Sequence, residues 1–222
     1  MLALLVLAGA ASAHEAESGP TSERLFEPPA AGSYELPVID RVREHWLLDP
    51  DGARSPVLGL GPGQVAFVSF VFGSCGEACP LALATLQRLD RELARLPGLA
   101  WRVRLVTVSF DPARDDPARM AEFRGHLAPR GDWRFLTAAA PAGIDPVLHD
   151  FGQDVLRGGF DERVVGHVLR VFLVDAEGGV RNVYSAGFLD VEILRNDAAT
   201  VLQLPPSSWA AARPGAGGPA VP

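Results

Sequence analysis

The chain has 222 residues, of which 48% are hydrophobic and 21% charged, the composition of a soluble globular protein. It carries 27 acidic and 20 basic residues, so its net charge is −7, which argues against nucleic acid or an anionic membrane surface as the main partner. All 20 of those basic residues are Arg, which excludes catalysis by a lysine amine.

The N-terminal residues are typical of an export signal. The apolar run from Leu2 to Ala11 is too short to cross a bilayer, which needs about 20 apolar residues. Small residues at Ala11 and Ala13 match a signal-peptidase site, so we expect cleavage after Ala13 and export to the periplasm. No basic residue precedes the run, which leaves open a start farther upstream with a membrane anchor. The mature chain has no predicted membrane span.

Proline and glycine content divides the remaining chain into one domain with an extension at each end. Residues 14–37 have the composition of a flexible tether. Residues 205–222 are rich in Pro, Gly and Ala and bury too little apolar surface to offset the entropy of ordering. We therefore predict a signal peptide over 1–13, a tether over 14–37, a folded domain over 38–204 and a disordered tail over 205–222.

Apolar periodicity predicts alternating strands and helices within the domain. The first strand is apolar on both faces, as expected of a central strand. One helix has a start signal, because Asp116 suits an N-cap and Pro117 suits the first helical position. The predicted strands are 64–72, 101–110, 133–136, 169–174 and 180–184, and the predicted helices are 79–96, 116–127, 144–151 and 189–204.

The order of these elements predicts the fold class. Two strand–helix–strand crossovers precede a hairpin, which turns at residues 175–179, and a closing helix. This order predicts an α/β protein with a mixed sheet flanked by helices. It is the order of thioredoxin-like domains.

The two cysteines are the candidate reactive groups. Cys75 and Cys79 lie where the first core strand ends and its helix begins, where free N–H groups and the helix dipole lower a thiol pKa. In a helix, their Cα atoms would be about 6 Å apart, which suits a disulfide and also lets two thiolates bind one Cu(I) or Zn(II) ion. A purely structural disulfide is the alternative. It is disfavoured because so short a loop constrains the unfolded chain little.

At these residues the sequence resembles the SCO/SenC family of copper metallochaperones and thiol-disulfide proteins. The family's Cys-x-x-x-Cys-Pro is matched by residues 75–80, its Asp-Pro-x-x-Asp by residues 111–115, and its distal histidine, which opens a late strand, by His167. The resemblance covers roughly residues 32–203. Apart from the resemblance, Asp111 and Asp115 are expected to cap and turn the chain before a helix, with partner docking as the alternative.

The resemblance implies a thioredoxin-like fold and a copper site formed by Cys75, Cys79 and His167. The implied function is delivery of Cu(I) to cytochrome c oxidase, or maturation of its copper site, with the copper-site subunit or another periplasmic copper chaperone as partner. A thiol-disulfide oxidoreductase acting through Cys75 and Cys79 on a copper protein is the alternative. A thiol peroxidase is disfavoured, because Ser74 precedes the first cysteine where a Thr would be expected and no Arg partner can be named.

The histidines differ in whether other candidate metal ligands accompany them in the sequence pattern. His167 alone would be read as an ordinary core or surface residue, but two available cysteines favour its role as a ligand. Cleavage at the predicted site would make His14 the first residue, and its amine and imidazole nitrogens would suit Cu(II). A single histidine is weak evidence for a metal site, so the favoured alternative is that His14 merely marks where the signal ends. The other three histidines have no cysteine neighbour in the pattern and are not predicted ligands: His45, His126 and His149.

Overall fold

The structure, a computed structural model, describes residues 26–73, 78–153, 155–158 and 163–209. The predicted signal peptide, the tether up to residue 25 and the tail from residue 210 lie outside the described residues, as does Cys75.

The described elements alternate between strands and helices, as the periodicity predicts. The strands are β1 (Asp40–Arg41), β2 (Trp46–Leu48), β3 (Arg54–Pro56), β4 (Val65–Val71), β5 (Val103–Ser109), β6 (Trp133–Leu136), β7 (Val155–Gly158), β8 (Arg163–His167), β9 (Arg170–Asp175) and β10 (Gly179–Ser185). The helices are α1 (Ala78–Leu93), α2 (Pro97–Ala100), α3 (Pro117–Leu127), α4 (Asp145–Asp150), α5 (Val191–Val201) and α6 (Pro206–Trp209). No helix within the described residues is long and apolar enough to span a bilayer.

The central sheet is mixed and has the order β1-β10-β9-β4-β5-β6. Strands β4, β5 and β6 are parallel, whereas β9 is antiparallel to β4 and β10 is antiparallel to β9. The carboxyl ends of three parallel strands therefore meet at one edge of the sheet, and β9 begins at that same edge. This arrangement confirms the predicted α/β fold of thioredoxin-like type.

Helices cover both faces of the sheet. On one face, alternate side chains of β4, β5 and β9 pack with apolar residues of α1, α3 and α5. On the other face, the intervening residues pack with α4 and with the chain around β2 and β3. All seven residues of β4 are buried, which confirms the predicted central strand.

Short strands account for most differences from the predicted elements. β1, the β2–β3 hairpin and the β7–β8 hairpin were not predicted, because segments of two to five residues have little periodicity of their own. The prediction that His167 opens a late strand is wrong. His167 is the last residue of β8, and β9 begins at Arg170.

Parts of both predicted extensions lie against the domain. The backbone N–H of Gly32 donates to Thr200 Oγ1 of α5 at 2.9 Å, and Asn196 Nδ2 donates to the carbonyl of Pro29 at 2.9 Å. The Tyr34 hydroxyl donates to Asp197. At the other end of the chain, α6 contacts α2. The predicted domain limits of 38 and 204 stay predictions, but residues 29–34 are bound to α5.

Candidate metal and thiol site

The cysteine segment follows β4, the central strand. After Val71 the chain passes through Gly73 and enters α1 at Ala78, so Cys79 is the second residue of α1. Cys75 lies outside the described residues, and for Cys79 only its position in the helix is described. In the first helical turn the backbone N–H groups have no helical carbonyl partner, and they stabilise a thiolate there.

The segment that carries His167 comes to the same edge of the sheet. His167 pairs with Val155 in the β7–β8 hairpin and is followed, after two residues, by β9. Because Val171 of β9 lies opposite Ser69 near the carboxyl end of β4, the start of β9 adjoins the strand end that leads to the cysteines. The topology therefore brings the segments of Cys79 and His167 to one edge, as a shared site requires.

A buried carboxylate, Asp115, links the ends of three parallel strands at this edge. Its Oδ2 accepts the backbone N–H of Gly73, two residues beyond β4, at 2.9 Å. The same oxygen accepts the hydroxyl of Ser109, the last residue of β5, at 2.6 Å. The Asp115 carbonyl accepts the hydroxyl of Thr137, directly after β6, at 2.6 Å. One residue thus contacts the chain at the ends of β4, β5 and β6.

Burial sets the electrostatics of Asp115. Its accessible surface is 2% of the exposed value, and this loss of solvent raises the pKa of its carboxyl above the ordinary range. The hydrogen bonds from Ser109 and Gly73 lower that pKa, the charge of Asp111 raises it and the charge of Arg119 lowers it. Burial is the largest of these effects.

Gly73 leaves no space for a side chain beside Asp115. A Cβ added at Gly73 would lie 2.5 Å from Asp115 Oδ1, well inside van der Waals contact. Glycine at this position therefore allows the close approach of the backbone to the carboxylate.

The predicted roles of the turn residues hold in part. Asp116 caps α3 by accepting the Arg119 N–H at 2.8 Å, and Asp111 pairs with Arg114 at 3.0 Å. The contact from Asp115 to Gly73 was missed by sequence reasoning. The Asp-Pro-x-x-Asp pattern marks Asp115 together with Asp111, but nothing in the local sequence predicts the contact with Gly73, because only the packing of the strand ends brings the two residues together.

Two other histidines have ordinary partners. His45 Nε2 lies 2.8 Å from Asp150 Oδ2, and His126 Nδ1 donates to the Glu122 carbonyl at 2.8 Å. The hydrogen bond from Arg43, followed by that from His45, holds the pKa of Asp150 well below its usual range. Among the described residues, no group of three His, Cys, Asp or Glu is arranged to hold a metal ion.

The mixed sheet, its flanking helices and a Cys-x-x-x-Cys pair at the junction of central strand and helix define a thioredoxin-like thiol protein. A family model described as SCO1/SenC matches residues 61–203. Because this match spans more than half of the chain, the protein belongs to the SCO1/SenC family, which confirms the resemblance.

Known proteins agree with this assignment. The chain is 27% identical over 125 residues to the SCO1 protein homolog of Bacillus subtilis, a match that covers 55% of this chain and 63% of that protein. Across the curated relatives it matches, the chain spans between 46% and 63% of their length.

Two solved structures establish the likeness of fold. Arabidopsis thaliana ScoI with copper bound has a TM-score of 0.57 at 22% identity, covering 72% of this chain and 95% of that one. The second structure is BsSco, a member of the Sco family of cytochrome c oxidase assembly proteins in which a disulfide switch was identified. It has a TM-score of 0.62 at 23% identity, and the match covers 76% of this chain and 97% of that one.

Proposed function

We propose that this protein is a copper metallochaperone that binds Cu(I) and delivers it to cytochrome c oxidase or matures the copper site of that enzyme. The observation that carries the proposal is the SCO1/SenC match over residues 61–203, which contains both cysteines and His167. Copper bound to the Arabidopsis relative and the link of BsSco to cytochrome c oxidase assembly support it.

The ligands we assign are Cys75, Cys79 and His167. Two thiolates and one imidazole are soft and borderline donors, a set that suits Cu(I). The common sheet edge reached by the segments of Cys79 and His167 supports the grouping. Copper is the cargo here, so the site must bind it and also release it to a partner.

Copper binding by reduced protein under anaerobic conditions tests this assignment. We expect one Cu(I) per chain in competition with a chromogenic chelator. Cys79→Ser should abolish binding, since a hydroxyl is a poor Cu(I) ligand, and His167→Ala should weaken it while both thiols remain titratable.

His126→Ala is the matched control, because His126 bonds to a backbone carbonyl and is not an assigned ligand. It should bind copper like the wild type. Full copper retention by Cys79→Ser would refute the ligand set.

Thiol-disulfide exchange is the second candidate, favoured by the position of Cys79 in the first turn of the 16-residue helix α1. In that reaction the reduced pair would attack a partner disulfide and become a Cys75–Cys79 disulfide. Two electrons and two protons would pass to the partner, which leaves as a dithiol.

The two candidates predict different dependence on His167. Reduction of an oxidised copper-site peptide should survive His167→Ala if thiol exchange is the main activity, because that step uses only the cysteines. Copper transfer to the same peptide in its reduced form should fall in this variant. Loss of transfer with retained reduction would separate the activities, and absence of reduction by the wild type would eliminate the second.

Export to the periplasm completes the proposal and rests on residues 1–13. The intact mass of the exported protein should correspond to a chain that begins at His14.

Any other N-terminus would remove the proposed Cu(II) ligands at His14. With the expected N-terminus, deletion of residues 14–31 should remove a Cu(II) site and spare the Cu(I) site, and equal Cu(II) binding by both proteins would leave the tether as a spacer.

A further inference from the structure

We propose that Asp115 is a positioning residue of the thiol site, which fixes the backbone from which the cysteine segment leaves the sheet. The inference rests on the proposed function, because it assigns Asp115 a role in copper binding by Cys75 and Cys79. Asp115 acts through Gly73 and does not itself bind copper.

The side chain of Asp115 continues the hydrogen bonding of the sheet beyond its last strand pair. The final backbone bond between β4 and β5 runs from the Phe110 N–H to the Val71 carbonyl at 3.0 Å. Two residues later, the Gly73 N–H donates to Asp115 at 2.9 Å. The backbone is therefore held up to the second residue before Cys75.

Asp115 is itself held in place on three sides. Its side chain accepts the Ser109 hydroxyl, its carbonyl accepts the Thr137 hydroxyl, and its N–H donates to the Asp111 carbonyl at 2.9 Å. Ser109 and Thr137 are both fully buried. A group fixed in this way can hold Gly73 in one position, so metal binding would need less reorganisation of the chain.

The close contact at Gly73 supports a role specific to this segment. A Cβ at Gly73 would lie 2.5 Å from Asp115 Oδ1, so even alanine would displace either the carboxylate or the start of the cysteine segment. The contact is made at the residue where the chain leaves β4 for the cysteines, so a shift there would be passed directly to the cysteine segment.

The test compares two substitutions at Asp115. Asp115→Leu removes both acceptor oxygens at similar size, whereas Asp115→Asn keeps a carbonyl oxygen that can accept from Gly73 and Ser109. We expect Asp115→Leu to weaken Cu(I) binding by about 10- to 100-fold, the range for residues that orient metal ligands. Asp115→Asn should restore most of the affinity.

Thr107→Val is the control for general loss of stability. The Thr107 hydroxyl is buried in β5 and accepts from Trp133 Nε1 at 2.9 Å, with no contact to Asp115 or Gly73 in the hydrogen bonds of the described residues. This variant should have a lower Tm but the Cu(I) affinity of the wild type. Equal weakening in Thr107→Val and Asp115→Leu would overturn the proposal, as would normal affinity in Asp115→Leu.

Two further measurements keep the test decisive. If Asp115→Leu does not fold, Gly73→Ala replaces it. Weakened Cu(I) binding in that variant supports the proposal, and unchanged binding overturns it.

If the wild type binds no Cu(I), the proposed function has failed, and the alkylation rates of the two thiols are compared. A changed rate in Asp115→Leu with a normal rate in Thr107→Val supports positioning by Asp115, whereas equal rates in all three proteins overturn it.

Discussion

Two buried carboxylates, Asp115 and Asp197, are 2% and 3% exposed, yet they bind different kinds of donor. Asp115 accepts from a backbone N–H and a hydroxyl where strands end. Asp197 of α5 accepts from three side chains: Tyr34, Asn182 at 2.9 Å and Tyr184 at 2.6 Å. Burial is the main cause of the raised pKa of both tyrosines, and the bonds to Asp197 raise it further.

The difference shows that burial alone does not assign a role to an acidic residue. Without Asp197, two hydroxyls and an amide would lose their acceptor inside the domain, and the cost would appear as lost stability. Without Asp115, the freed groups would be the buried hydroxyl of Ser109 and the backbone N–H of Gly73, next to the cysteine segment. Loss of either carboxylate should therefore lower the stability of the domain, but only loss of Asp115 should also weaken copper binding.

Asp197→Leu should cause the greatest loss of stability. We expect the free energy of unfolding in urea to fall by about 3 kcal/mol, because the buried Tyr184 hydroxyl and two half-buried donors would be left without this acceptor. Cu(I) affinity of the folded fraction should equal that of the wild type. If Asp197→Leu weakens copper binding as strongly as Asp115→Leu does, the separation between the two carboxylates is wrong.

Removal of the N-terminal segment should have an intermediate effect. A chain that begins at residue 38 lacks Tyr34 and the Pro29 carbonyl, which are partners of Asp197 and Asn196. It should unfold with about 2 kcal/mol less free energy than a chain that begins at residue 26. Tyr34→Phe in the longer chain should cost about 1 kcal/mol, because the hydroxyl that donates to Asp197 is lost.

Equal stability of the two chains would support residue 38 as the start of the domain and would show that the contacts to α5 contribute nothing. Copper binding should be the same in both, because the deleted residues contact α5 and not Gly73 or Asp115 in the described structure.

The pH dependence of stability should show the smallest effect. Burial raises the pKa of Asp115, so the folded protein keeps a proton at pH values where the unfolded chain has lost it. The contribution of Asp115 should therefore be fully present below the ordinary Asp pKa of about 3.9 and decline as pH rises through the raised pKa.

Urea unfolding of the wild type and Asp115→Asn across this window checks the sign. As pH rises, the free energy of unfolding of the wild type should fall relative to that of Asp115→Asn. A change in the opposite direction would mean that the hydrogen bonds from Ser109 and Gly73 outweigh the burial of the carboxyl.

Much of the fold could be predicted from local patterns. The all-apolar run that became β4, the strand over 133–136 and the Asp116 cap of α3 depend on neighbours a few residues away, and all are observed. The hairpin that ends in His167 was missed, because its two short strands pair with each other in a separate sheet, outside the strand–helix alternation that located the four residues of β6. The residue types of the proposed site were predictable because thiols and imidazole define their chemistry wherever they occur.

Residue types and periodicity predicted the fold class, the order of the main elements and the reactive pair Cys75 and Cys79, because these follow from intrinsic chemistry and short-range pattern. His167 was added to this pair by the resemblance to the SCO/SenC family. The common edge of the sheet and the different hydrogen-bond partners of Asp115 and Asp197 emerged only in the tertiary structure. Asp115 and Gly73 are 42 positions apart and meet at 2.9 Å because β4 and β5 are paired in parallel. A carboxylate acquires its partners through such long-range packing, which no local stretch of sequence encodes.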